Sequence, residues 1–301
     1  MIRLEAAGEP TLALHYQSAT ANLGDVVYVH GSTFGAALSV YFKFDGRSWA
    51  DVMCEAGFNV WACDFAGYGD SDRYLRDGDI AVGRIETVVP QLRRAIAEVR
   101  ARNGGRPVSL VAHSWGGTVA LRYTGGHAED IASLALFAPV VARSASATAV
   151  TSSPMTSSHF MLTAWAQYRR FVEDVPRGET QPLSEAHFQA WSEAFLATDP
   201  AAASRTPSAV RTPCGPQLDW CALQSGQAPY DPAGIAVPTL LVRGEWDSVC
   251  DDADASRLLS AIASTDKHYA SIPKATHLMH LEAGRSLLYN AVNAFLLRSA
   301  T

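Results

Sequence analysis

Along the first 140 residues, short apolar runs alternate with stretches of helical spacing. Val26-Val27-Tyr28-Val29, Phe58-Asn59-Val60-Trp61-Ala62-Cys63, Val108-Ser109-Leu110-Val111 and Ile131-Ala132-Ser133-Leu134-Ala135-Leu136-Phe137 have the length and near-continuous apolarity of strands buried on both faces. Between them, residues 47–56 read as a helix. Residues 82–102 read as a second, with Ile85, Val88, Val89, Leu92, Ile96 and Val99 near helical spacing. Pro90 lies inside that helix and predicts a kink or an earlier break. Residues 2–17 alternate weakly, as an opening antiparallel pair would. The strand–helix–strand rhythm predicts an α/β fold: a mostly parallel central sheet with helices on both faces.

The rhythm stops after Pro139, beyond the sixth strand. Residues 144–158 are rich in Ser, Thr and Ala and read as a loop or hinge. Two amphipathic helices are predicted around 159–174 and 184–197, and an irregular Pro/Gly-containing stretch over 200–234. Regularity returns with the strand Thr239-Leu240-Leu241-Val242, a helix near 252–263, a strand near 268–272 and a final helix near 282–298. The chain therefore divides into an α/β core, 1–140 and 236–301, and a mainly helical insertion, 141–235. No internal repeat is visible.

Composition narrows the function classes. The 301 residues are 48% hydrophobic, enough to bury one large core. A net charge of −6, a pI near 5.8 and the lack of a Lys/Arg cluster argue against nucleic acid as a partner. The N-terminus has no basic segment followed by an apolar stretch, and no membrane-spanning run is evident. The five cysteines (54, 63, 214, 221, 250) are scattered and odd in number, as expected of reduced thiols in a cytoplasmic protein.

The most chemically pointed segment is Ala112-His113-Ser114-Trp115-Gly116-Gly117, between the strand at 108–111 and the apolar run Thr118-Val119-Ala120-Leu121. A serine between small residues two positions before and two after it fits a tight strand-to-helix turn that lifts the hydroxyl above a sheet. Such a hydroxyl needs a base to take its proton and a carboxylate to orient that base. Asp247 follows the strand at 239–242, and His277 follows the strand near 268–272. Both fall at carboxyl ends of parallel strands, where open α/β sheets bind ligands. The chain order is Ser, Asp, His.

These residues give the chain a resemblance to α/β-hydrolase fold proteins with a cap domain, covering about 20–140 and 236–298. His30-Gly31-Ser32 resembles the loop that supplies one oxyanion-hole amide. Asp64-Phe65-Ala66-Gly67-Tyr68-Gly69-Asp70-Ser71-Asp72 resembles the turn after that family's fourth strand. The elbow at Ser114 and the segments carrying Asp247 and His277 complete the match; Ala112 stands where the elbow motif has glycine. The resemblance implies that Ser114 attacks a carbonyl carbon, that His277 takes its proton, and that the backbone amides of Ser32 and Trp115 hold the developing oxyanion. It makes 141–235 the cap and implies a small or medium hydrophobic acyl substrate, with neither cofactor nor metal. Within it, cap aromatics (Phe160, Trp165, Tyr168, Phe171, Phe188, Trp191, Phe195) mostly fill the cap interior. His113, Trp165 and Trp191 are the candidates for the substrate pocket.

Other readings of the same residues stay open at this stage. Ser114 could merely cap a helix. Asp251 and Asp252 compete with Asp247, and His280 with His277. A His277/His280 metal pair lacks an evident third ligand. His30 and His113 read as structural, orienting loops. The same triad serves ester, thioester or lactone hydrolysis, carbon–carbon cleavage beside a ketone and acyl transfer, since specificity lives in the cap. Haloalkane displacement and epoxide opening use an aspartate where this chain has Ser114. The rival from another class is a binding protein that keeps the pocket without turnover. Nothing in the sequence sets the oligomeric state.

Overall fold

The computed structural model describes residues 1–74, 80–143 and 157–300. Ten strands and eight α-helices are described. The central sheet has the order β1-β2-β4-β3-β5-β6-β9-β10. Its strands are β1 (Ile2–Leu4), β2 (Leu12–Gln17), β3 (Gly24–Val29), β4 (Phe58–Asp64), β5 (Val108–His113), β6 (Ile131–Phe137), β9 (Thr239–Gly244) and β10 (Lys267–Ile272). β1 and β2 join antiparallel, and every pairing from β4 through β3, β5, β6 and β9 to β10 is parallel.

Helices cover both faces. Val27, Val29, Leu110 and Ala112 point to a core shared with α2 (Ile85–Arg102), α3 (Trp115–Thr124) and α7 (Asp252–Ala261). Their neighbours Val26, Tyr28 and Val111 point the other way, to a core shared with α1 (Trp49–Glu55) and α8 (Arg285–Ser299). Because side chains alternate across a strand, a strand covered on both sides must be apolar at consecutive positions. That is why these runs were legible. Pro90 does not break α2, which begins at Ile85 rather than 82. A proline at the sixth helical position forfeits one backbone bond near the helix start, and the buried face of Val88, Leu92, Ile96 and Val99 carries the helix on.

The inserted segment departs from the sequence expectation. Residues 159–174 are not one helix: β7 (His159–Thr163) precedes α4 (Ala164–Val172). The stretch expected to be irregular contains β8 (Ala209–Pro213) and α6 (Gly215–Gln224), while α5 (Glu185–Ala197) falls where expected. β7 and β8 pair antiparallel as a separate ribbon, with Phe160 opposite Thr212. Each strand is short and only half apolar, so its identity depends on its partner. The hinge expected at 144–158 lies outside the described residues over 144–156.

Phe171, Trp191 and Phe195 of the insertion pack with Phe34 and Leu38 of the core, and Trp191 donates its indole N–H to the Leu38 carbonyl at 2.9 Å. All five cysteines are free. No helix among the described residues is long and apolar enough to cross a membrane.

Candidate functional site

Ser114 follows β5 and immediately precedes α3, with φ 54° and ψ −126°. A side chain at positive φ costs about 1–3 kcal/mol and persists only when its surroundings hold it. Here they do. The Ser114 amide donates to Phe137 O at 3.2 Å, and the Ser114 carbonyl accepts from Gly117 and Val140 at 2.9 and 3.0 Å.

The three side chains that chain order suggested do meet. Ser114 Oγ lies 2.8 Å from His277 Nε2, and His277 Nδ1 lies 3.1 and 3.2 Å from the two carboxylate oxygens of Asp247. All three residues are buried. Asp247 Oδ1 also accepts the amides of Val249 and Cys250, at 2.9 and 3.2 Å. Burial by itself would push the Asp247 carboxyl up. The facing imidazole and the two amides outweigh it and hold the group below its ordinary range, ionised at neutral pH.

The competing residues have other duties. Asp251 caps α7, accepting Asp254 N at 2.8 Å, and Asp252 pairs with Arg243 at 2.7 Å. His280 is fully buried against His113 and Phe137, with ring centroids 4.5 and 5.2 Å away. Burial, reinforced by His277, pushes His280 down to about 3, so it stays neutral.

The loops around the serine are tied to one another. His113 Nε2 lies 3.1 Å from the His277 carbonyl and donates to it, steadying the loop that carries the imidazole. His30 Nε2 accepts Phe65 N at 3.0 Å, which leaves Nδ1 as donor to the Gly31 carbonyl at 2.7 Å. Tyr68 donates its hydroxyl to the Ser32 carbonyl at 2.7 Å, linking the glycine-rich turn to the candidate oxyanion loop. Asp64 holds that turn, accepting Ala36 N, Asp70 N and His15 Nε2 at 2.8, 3.0 and 2.9 Å. His15, Asp64 and Asp70 have ligand atoms within 4.8 Å of one another, but these bonds already account for the Asp64 oxygens.

A cavity of about 380 Å³ opens over Ser114. Its walls include Ser32, Trp115, Val140, Val249 and His277 from the core loops, and Pro216, Gln217 and Trp220 from α6. Arg170 and Glu173, at the end of α4, and Ser248 add polar groups. Trp115 is the first residue of α3, so its N–H has no intrahelical acceptor.

The aromatic candidates for the pocket are placed elsewhere. Trp165 is 68% exposed and stacks on Tyr168 at 5.6 Å; Trp191 is buried between insertion and core; His113 lies buried behind the imidazole. None of the three lines the cavity. The residues that do, Arg170, Glu173, Gln217 and Trp220, sit on helices with no recognisable motif. The nearest sequence signal was Trp220 itself, an aromatic in a stretch expected to be irregular.

Fold and site together define an α/β-hydrolase. The profile described as serine aminopeptidase, S33, matches residues 24–284, and the chain belongs to this family of hydrolases. Solved structures share the fold at low identity. A thioesterase domain from the curacin biosynthetic pathway superposes with TM-score 0.65 at 18% identity, covering 97% of this chain and 98% of that one. A monoacylglycerol lipase from Paleococcus ferrophilus gives 0.61 at 21%, covering 96% and 99%. A soluble variant of monoglyceride lipase from Saccharomyces cerevisiae gives 0.65 at 15%, covering 100% and 95%. No curated protein sequence matches the chain significantly.

Proposed function

We propose that this protein is a serine hydrolase of small or medium carboxylic esters or thioesters, working through an acyl-enzyme on Ser114. The observation that carries the reading is the contact of Ser114 Oγ with His277 Nε2, backed by Asp247, on the wall of a 380 Å³ cavity. His277 takes the hydroxyl proton as Oγ bonds to the carbonyl carbon. The amides of Ser32 and Trp115 hold the oxygen that gains charge, each worth roughly 3–4 kcal/mol in the transition state. The bond to the leaving oxygen or sulfur breaks as His277 returns the proton to it. Water, deprotonated by the same imidazole, then releases the acid.

The insertion, proposed as the cap, roofs the cavity with Pro216, Gln217 and Trp220, which favours an apolar acyl or aryl group. The lipase and thioesterase names of the structural neighbours support acyl chemistry.

A fluorophosphonate probe tests the mechanism. The wild-type chain is expected to be labelled and Ser114→Ala not; labelling that survives the substitution overturns it. A panel of aryl esters of graded acyl length, a thioester, a carbon–carbon substrate and an aminoacyl arylamide then separates the reaction classes. Preference for the arylamide would replace ester hydrolysis by peptide hydrolysis.

A further inference from the structure

Asp219, on α6 of the insertion, carries no motif and does not line the cavity, yet it is one of the most heavily engaged carboxylates in the molecule. It is 3% exposed. Oδ2 accepts the indole N–H of Trp115 at 3.0 Å and the backbone N–H of Ile85 at 2.9 Å, and Oδ1 pairs with the Arg84 guanidinium. Three segments distant in sequence thus end on one side chain: the start of α2, the start of α3 and the roof of the cavity. Ile85 opens α2, whose N-cap position Arg84 makes no side-chain cap bond, so Asp219 satisfies an otherwise orphaned helix donor from outside the helix.

The bond to Trp115 has the chemical consequence. Ser114 is held at positive φ, and the Trp115 amide that follows it is the proposed oxyanion donor. The far side of this elbow is braced by Gly116 against β3: a Cβ on Gly116 would lie 2.3 Å from His30 O. The near side is braced through the Trp115 indole, set edge-on against Phe65 at 6.0 Å and fixed at its nitrogen by Asp219. The same helix supplies Pro216, Gln217 and Trp220 to the cavity, and its first turn is locked to the core, Gly215 N donating to Val82 O at 2.8 Å. We infer that Asp219 is a positioning residue for the reaction: through the Trp115 indole it fixes the elbow and its oxyanion amide, and it makes α6 a fixed wall of the cavity.

This inference rests on the proposed role of Ser114 and the Trp115 amide. Its test compares Asp219→Asn, Trp115→Phe and the double variant with wild type, using a short aryl ester and the fluorophosphonate probe. Asparagine keeps the shape but turns an N–H₂ toward donors; phenylalanine keeps an aromatic ring and the backbone amide but has no indole donor. Each single variant is expected to lower kcat about 10- to 100-fold, below the full loss of one oxyanion donor. KM is expected to change less than about 3-fold, the acidic limb of the kcat/KM profile to stay in place because the His277–Asp247 pair is untouched, and the double variant to be no worse than the weaker single. A folded Asp219→Asn with wild-type kcat, or additive losses in the double variant, overturns the inference. If Asp219→Asn does not fold, Trp115→Phe decides: full kcat there overturns it too. Wild type labelled at Ser114 with these failures removes only the positioning role; a wild type the probe does not label removes the serine mechanism and this inference with it.

Discussion

Gly116 presses against the carbonyl oxygen of His30 so closely that a Cβ built on it would lie 2.3 Å away, and 2.8 Å from Val29 O. The atoms it would meet are backbone, which cannot swing aside. Gly116→Ala is therefore expected to displace the end of β3 and the Ser32 loop together. It should cost about 1–3 kcal/mol of stability or more, as overpacking of a close-packed site does, and abolish measurable turnover. Denaturant unfolding and ester kinetics on the same sample check both effects.

Asp247 holds the imidazole at its Nδ1 edge while two backbone amides hold Asp247. Asp247→Asn keeps the shape and loses the charge that selects the tautomer with a proton on Nδ1. It is expected to lower kcat by on the order of 10⁴-fold with little change in KM. Single-turnover kinetics with an aryl ester measures this; retention of more than a tenth of the wild-type rate would count against Asp247 as the orienting acid.

Glu282 lies buried beneath the loop that carries His277, accepting the backbone N–H of Thr276 at 3.2 Å and its hydroxyl at 2.5 Å. Burial raises its carboxyl from an ordinary 4.5 to about 7, against the pull of the Thr276 bonds. Between those values the folded chain holds a proton that the unfolded chain has released. The resulting stabilisation is full below about pH 4.5, declines as pH rises and is gone above about 7. At roughly 1.4 kcal/mol per unit, the span is on the order of 3 kcal/mol. Urea denaturation of wild type and Glu282→Gln at pH 5, 6, 7 and 8 should show wild type losing stability relative to the glutamine variant, which mimics the protonated carboxyl at every pH, as pH rises; a constant difference would refute the assignment.

Trp220 lines the cavity, whereas Trp165 is exposed on α4. Trp220→Ala is expected to raise KM for an aryl ester several-fold, the worth of an aromatic contact of about 1 kcal/mol. Trp165→Ala should leave KM within about 2-fold. The reverse order would mean that the substrate enters along the outer face of α4.

Much of this molecule was legible because its core strands are covered on both faces. Runs such as 58–63 and 131–137 had to be apolar at nearly every position, and a parallel sheet follows from the helices between them. Ser114, Asp247 and His277 could be picked out because each follows a recognisable strand at the sheet edge where loops converge. Chain order and local turn chemistry thus determined the fold class and nominated the three side chains. The distances among them came only from tertiary structure, which also gives Asp251 and Asp252, a few residues on at the start of α7, partners of their own.

The insertion shows the opposite limit. β7 and β8 exist as strands because they pair with each other across some fifty residues of chain, a partnership that no local window contains. Trp165 and Trp191 looked like pocket residues for being aromatic. Their helices turn one to solvent and one into the packing between insertion and core, while Trp220, Gln217 and Asp219 take the positions that matter to the cavity and the elbow. The sequence by itself nominated which residues could do chemistry, because that depends on residue type and strand-end position. Only the tertiary structure decided which surface they face, because the docking of a helix depends on what it is packed against.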